Sequence, residues 1–279
     1  MYCDSSREIQ TALLTELMRQ APYQPATNYW RAVEISDVLR YGLPDGQGLD
    51  LGCGDGHLMW IILNRIGPRD LIGIDVDARE TAMAHERGIY RQVITASSDR
   101  LPFPASYFDY VFSNSVLEHI TSIHETLAEI ARVLRAKGRF LFTVPGPGFH
   151  QCLRGPRFGN RDAYLRVIDA RCFHLRYWGE SEWERHLAAA GLQLVHQHSY
   201  LSGREVRRWE FLAHYTSGLL YRFVRGRKQP IEIQRGLGVR SVRFRLPCWL
   251  AALSARLIRL RSQPAESPFG CLLIEAERR

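Results

Sequence analysis

The run Leu49-Asp50-Leu51-Gly52-Cys53-Gly54-Asp55-Gly56 constrains the fold of this chain more than any other segment. A short apolar strand enters it, glycines occupy alternate positions, and a helical run begins at His57. Glycine permits a tight turn and lets a ligand approach the main chain, while the N–H groups opening the following helix are free to meet that ligand. A strand, a glycine turn and a helix in this order predict the opening of a parallel sheet covered by helices.

The charge around the turn narrows the ligand. A dinucleotide-binding turn has a third glycine where this chain has His57, and it keeps carboxylates away from the pyrophosphate. Here Asp50 and Asp55 flank the glycines, which suits a cationic ligand. Asp75 ends the next apolar run, Leu71-Ile72-Gly73-Ile74, where a carboxylate can accept from both hydroxyls of a ribose. An adenosine that carries an amino acid in place of phosphates satisfies both conditions.

Seven strands are expected, at 48–51, 70–74, 90–95, 108–113, 139–144, 192–199 and 271–277, with helical runs between them. Asp77 with Glu80, Ser122 with Glu125 and Ser181 with Glu184 have capping-box spacing and predict helix starts. Upstream, 28–41 reads as an amphipathic helix with Trp30, Val33, Val38 and Leu39 as apolar positions.

With LDLGCGDG at 49–56, IGIDVD at 72–77, ASSDRLPFPASYFDYVFSNSVLEHI at 96–120 and ARVLRAKGRFLFTVP at 131–145, the sequence resembles the class I S-adenosylmethionine-dependent methyltransferases. Within them it is similar to the small-molecule subfamily with the pattern L-P-F-x-x-x-x-F-D. The likeness covers roughly 30–200 and returns for the last strand. It implies an α/β, Rossmann-like seven-stranded sheet with helices on both faces and S-adenosyl-L-methionine as cofactor. It also implies roles: Gly52, Cys53 and Gly54 pass under the methionine part, with Asp50 directed toward its ammonium. Asp75 holds the ribose, Val76 packs on the adenine face, and Ser98 and its neighbours border the adenine edge. The Asn114 carbonyl sits near the amino group. Relatives often have Asp at the position of Ser97, so either Ser97 or Asp99 accepts from the adenine amino group.

A sulfonium methyl is already electrophilic, so such a site works mainly by aligning a nucleophile and excluding water. Where the acceptor needs deprotonation, His119 beyond the fourth strand is the expected general base, with packing against its own short helix as the alternative. Glu118, His174, Tyr29 and Trp30 are candidate acceptor contacts. No metal is expected: His196-x-His198 has no evident third ligand, and neither C-x-x-C nor H-E-x-x-H occurs.

The formal charge of +8 is local. Between residues 201 and 268 stand fourteen Arg and Lys against four Glu, a net +10, so the rest of the chain sums to −2. This segment separates the last two strands and is expected as a basic helical insertion, giving a helical cap at 1–45, the core at 46–200, the insertion at 201–268 and the last strand at 269–279. Val206, Trp209, Leu212, Leu219 and Phe223 share one helical face, and Leu250, Leu253, Leu257 and Leu260 another. Such helices suit peripheral contact with an anionic membrane, a cap over the active site, a homodimer contact, or a phosphate on a small or lipid-linked acceptor. No DNA-binding module is recognisable. RNA methylation, or cofactor binding without turnover, is the alternative function. Scattered cysteines and the absence of an apolar leader predict a cytoplasmic protein, with or without attachment to the inner face of a membrane.

Overall fold

The computed structural model describes residues 2–156, 159–216, 245–259 and 267–279. Leu219, Phe223 and Leu260 of the two expected apolar faces lie outside the described residues. The chain divides into two compact units.

The sheet unit comprises Asp37–Pro147, His174–Ser199 and Cys271–Arg279. Its strands are β1 (Gly48–Leu51), β2 (Leu71–Asp75), β3 (Gln92–Thr95), β4 (Phe108–Asn114), β5 (Leu134–Pro145), β6 (Leu192–Ser202) and β7 (Phe269–Arg278), the last two running past the unit's edge. They form one sheet in the order β3-β2-β1-β4-β5-β7-β6, as the expected α/β class requires. Strands β1 to β5 pair in parallel, and β7 lies antiparallel to β5. Apolar runs such as Leu71-Ile72-Gly73-Ile74 are buried throughout, which reflects cover on both faces. The chain steps outward from β1 to β3, then returns to β4 on β1's other side. That reversal makes β1/β4 the switch point, where ligands bind outside the carboxyl ends of the strands.

The helices linking these strands are α3 (His57–Ile66), α4 (Ala78–Glu86), α5 (Ile123–Val133) and α8 (Glu180–Ala189). Helices α4 and α5 start behind Asp77 and Ser122 as expected, and α8 does not start at Ser181. Asp77 does cap α4, accepting from Arg79 N at 2.9 Å. The Ser122 hydroxyl instead donates to Asp99 at 3.0 Å. Helix α8 starts ahead of Ser181: Gly179 is its N-cap, and the Glu182 carboxylate accepts from the Gly179 N–H at 2.9 Å.

The helical unit comprises Met1–Ser36, Gly148–Phe173 and Tyr200–Gly270. It takes in 1–36 and 148–173 beside most of the expected insertion. It contains α1 (Tyr2–Gln20), most of α2 (Pro25–Tyr41), α6 (Gly148–Cys152), α7 (Arg161–Cys172), α9 (Gly203–Tyr215) and α10 (Cys248–Arg259). Its centre is aromatic: the Trp30 ring lies 5.5 Å from Phe149 and 5.6 Å from Trp209 in edge-on geometry. Among the described residues, no helix is long and apolar enough to cross a membrane. Cys53, Cys152, Cys172, Cys248 and Cys271 are free thiols.

Candidate active site

The glycine turn leaves β1 in a conformation that only glycine adopts without strain. Gly52 has φ +76°, and a side chain there would bring its Cβ to 2.5 Å from the Val116 side chain. Gly54, at φ +54°, has open space over its Cα. The turn is held from below by β2, whose Ile74 carbonyl accepts from the N–H groups of Gly52 (2.8 Å) and Cys53 (2.9 Å).

Asp75 ends β2 beside this turn. One carboxylate oxygen accepts from Gly54 N and the other from Asp77 N, each at 2.9 Å. Burial raises its pKa, and the two backbone donors oppose that shift. Each oxygen keeps a further lone pair, so the carboxylate can still accept from hydroxyls. Val76, one residue on, is 74% exposed at the end of a buried strand, an uncovered apolar surface of the kind a flat ring covers.

Asp50 is buried under the turn, and burial pushes its carboxyl up to about 7. Among the described residues, the contact that opposes this rise is the Tyr90 hydroxyl, which donates to Asp50 at 2.6 Å. The sequence reading counted Tyr90 only as the start of the strand expected at 90–95; that strand begins at Gln92, and the Tyr90 ring instead backs Gly56 and Gly73. Asp55 has a different job from the one its position suggests. It pairs with Arg87 at 3.1 Å and accepts from His57 N at 3.0 Å, so it anchors the start of α3. The Cys53 thiol is raised by burial and by the neighbouring carboxylates, which makes it an unreactive space-filler.

The residues expected along the adenine edge are tied into a local network. The Ser98 and Thr126 hydroxyls share a hydrogen bond of 3.0 Å. Hydrogen bonds from the Ser97 and Ser122 hydroxyls hold Asp99 below the usual carboxylate range. At the end of β4, Asn114 Oδ1 accepts from the Thr143 hydroxyl at 3.2 Å.

Beyond Asn114 the chain turns through Ser115, at φ 51°, into a single 3-10 turn, Leu117–His119. This brings Glu118, His119 and His174 together. Glu118 is buried, and its Oε1 lies 3.8 Å from His119 Nε2. The two imidazole rings are 5.4 Å apart, and one donor or acceptor atom from each of the three residues lies within 4.8 Å of the others. The set is compact enough to share a proton or a cation, which the absence of a metal motif did not foreshadow. His174 Nδ1 is bonded to the Tyr177 hydroxyl at 3.0 Å. The run Phe173-His174-Leu175-Arg176-Tyr177-Trp178 is docked on the turn: Leu175 N donates to Glu118 O at 2.9 Å, and Arg176 donates to the carbonyls of Leu117 and Ile120. The 3-10 turn touches the cofactor loop through Val116, which packs over Gly52.

Two expected acceptor contacts, Tyr29 and Trp30, are buried in the helical unit. Trp30 is enclosed between Phe149 and Trp209, so packing replaces the expected acceptor contact there. His196 stacks on Tyr41 and His198 lies 3.5 Å from Asp37, so the two strand imidazoles serve separate partners on α2. A cavity of about 580 Å³ opens at the amino ends of the strands, between Asp45, Asp109, Arg135 and Arg139, opposite the glycine turn.

Residues 49–142 match the methyltransferase domain family. A probable S-adenosylmethionine-dependent methyltransferase of Mycobacterium tuberculosis is 35% identical over 131 residues, 46% of this chain and 46% of its own length. The demethylmenaquinone methyltransferase of Symbiobacterium thermophilum is 30% identical over 133 residues, 45% of this chain and 53% of its own. The chain thus spans about half the length of these curated relatives. Among solved structures, a Thermotoga maritima S-adenosylmethionine-dependent methyltransferase superposes with a TM-score of 0.53 at 14% identity, covering 98% of this chain and 99% of the other. The glycine turn with room for a ligand, the carboxylate at the end of β2 and the exposed valine beside it fit an adenosine that carries an amino acid. Residues 49–142 thus carry the likeness to the methyltransferase domain family, on a sheet with the Rossmann-like class I methyltransferase fold.

Proposed function

We propose that this protein transfers a methyl group to a lipophilic small-molecule acceptor whose nucleophilic atom is deprotonated by the Glu118–His119–His174 cluster. The observation that carries the reading is the placement of that cluster at the sheet's switch point, with Val116 linking it to the glycine turn. When bound, S-adenosylmethionine supplies an electrophilic methyl group. The chain's own residues do the rest. Gly52 and Gly54 leave the main chain accessible, Asp75 and Asp50 offer carboxylate oxygens to the ribose and the ammonium, and Val76 offers an apolar face to the adenine.

His119 takes the acceptor's proton, and the buried Glu118 stabilises the imidazolium that results. His174, oriented by Tyr177, has its ring 5.4 Å from that of His119 and can hydrogen-bond the acceptor. A small-molecule acceptor is in keeping with a relative named for demethylmenaquinone. No recognised RNA-binding module favours the alternative.

The test is transfer of a labelled methyl group from S-adenosylmethionine to a panel of hydrophobic phenols and quinols, read in the organic extract. His119→Ala should lower kcat about 100-fold, the usual worth of a positioned base, while cofactor affinity holds. Cofactor binding with label appearing only in added RNA would overturn the reading.

A further inference from the structure

Helix α10 is packed inside out. Ala251 and Ala255 are fully buried, and the helix lies against α1, with Leu246 N donating to Arg19 O at 3.0 Å just ahead of it. Its large apolar side chains face the other way: Trp249 is 69% exposed, Leu257 60%, and Leu253 nearly half. These three recur every fourth residue, so they form one stripe, with Arg256 beside it. A helix serving only its own core would bury Trp and Leu and show Ala, because each large side chain left in water forgoes about 1.5–3 kcal/mol. Helix α9 repeats the composition. Val206 and Trp209 are buried, whereas Arg207, Phe211 and Tyr215 point outward one turn apart, with the two aromatic rings 4.9 Å from each other.

We infer that the exposed faces of α10 and α9 dock on an anionic lipid bilayer surface, with the Trp, Phe, Tyr and Leu side chains entering the interface and the arginines meeting lipid phosphates. Charge complementarity selects this occupant. Helix α10 has no acidic residue and shows Arg256 beside its stripe, and α9 shows Arg207 beside Phe211 and Tyr215. A second copy of the chain would present the same positive face to itself in a two-fold contact, setting arginine against arginine. An anionic bilayer supplies both an apolar phase for the stripe and negative charge for its borders. Trp and Tyr suit that boundary because each has an apolar body and a polar tip.

The inference goes beyond methyl transfer and is tested without cofactor or acceptor. The full chain is floated with vesicles of phosphatidylcholine alone or mixed with phosphatidylglycerol, at low and high salt. It should co-float with the mixed vesicles only, and release as salt rises. Leu253→Glu with Leu257→Glu should weaken partitioning at least about ten-fold, and Arg256→Gln about five-fold, with the thermal midpoint unchanged because these side chains are exposed. Failure to float at low salt, or equal flotation of the double variant, overturns the proposal. So does a native dimer in light scattering that the double variant converts to monomer while neither form binds vesicles.

Discussion

A buried carboxylate beneath a ligand loop is costly unless something charged arrives to meet it, and Asp50 is such a group. Its folded-state pKa lies near 7 against about 3.9 for a free aspartate. Between those values the folded protein holds a proton that the unfolded chain has lost, so stability contributed by Asp50 falls as pH rises from about 4 to about 7 and is level above that. A cationic ligand beside Asp50 favours its ionised form. S-adenosylmethionine binding at pH 6 should therefore release protons, and affinity should climb as pH approaches 7. Calorimetry in two buffers of different ionisation enthalpy reads the release directly. Asp50→Asn should abolish the pH dependence. Tyr90→Phe removes the contact that opposes the rise and should move the dependence to higher pH, with affinity at neutral pH lower by about ten-fold, the usual worth of a hydrogen bond to a charged group. Unaltered pH profiles in both variants would show that Asp50 does not face the ligand. At Gly52 the constraint is steric: Gly52→Ala sets a Cβ at 2.5 Å from Val116 on a left-handed backbone, and cofactor binding should be lost even where the fold survives.

At the level of the element, the 3-10 turn Leu117–His119 is too short to hold itself, and the Phe173–Trp178 segment holds it. Arg176 spans the Leu117 and Ile120 carbonyls while its charge lies near the buried Glu118. Arg176→Met should lower kcat by ten-fold or more and leave cofactor affinity within two-fold, because the residue positions His119 without touching the cofactor turn. Equal losses in both quantities would indicate general unfolding instead. The turn also shows where the sequence was informative. The seven strands were legible because β-rich runs of four to eight residues alternated with helical runs, and Asp75 was legible because it ends such a run. Tyr90, Arg176 and Tyr177 were not, since each acts on backbone or side chains brought near only by folding: Arg176 on carbonyls 56 and 59 residues away, Tyr90 on a carboxylate 40 residues away. Trp30 misled for the same reason. An aromatic near the start of an amphipathic helix reads alike whether it meets a ligand or, as here, Phe149 and Trp209.

On the scale of the whole molecule, two units with separate buried centres should unfold with separate sensitivities. Glu210 gives a local handle on the helical unit. It is buried on α9, and its two oxygens accept from Arg154 N at 2.8 Å, Gly155 N at 3.0 Å and the Tyr164 hydroxyl at 2.6 Å. The carboxylate thus fixes the chain leaving α6 and one side of α7 to α9. Glu210→Ala orphans three donors at once, at a cost of roughly 3 kcal/mol or more. Hydrogen exchange should then accelerate along α6, α7 and α9, while β1, β2 and β4 keep their protection and S-adenosylmethionine its affinity. Glu210→Gln, which keeps two acceptor lone pairs on one oxygen, should lose about half as much protection. If exchange rises equally in the strands of the sheet unit, the two units fold as one cooperative block, and the basic helices are then part of the sheet unit's own stability rather than a surface it displays.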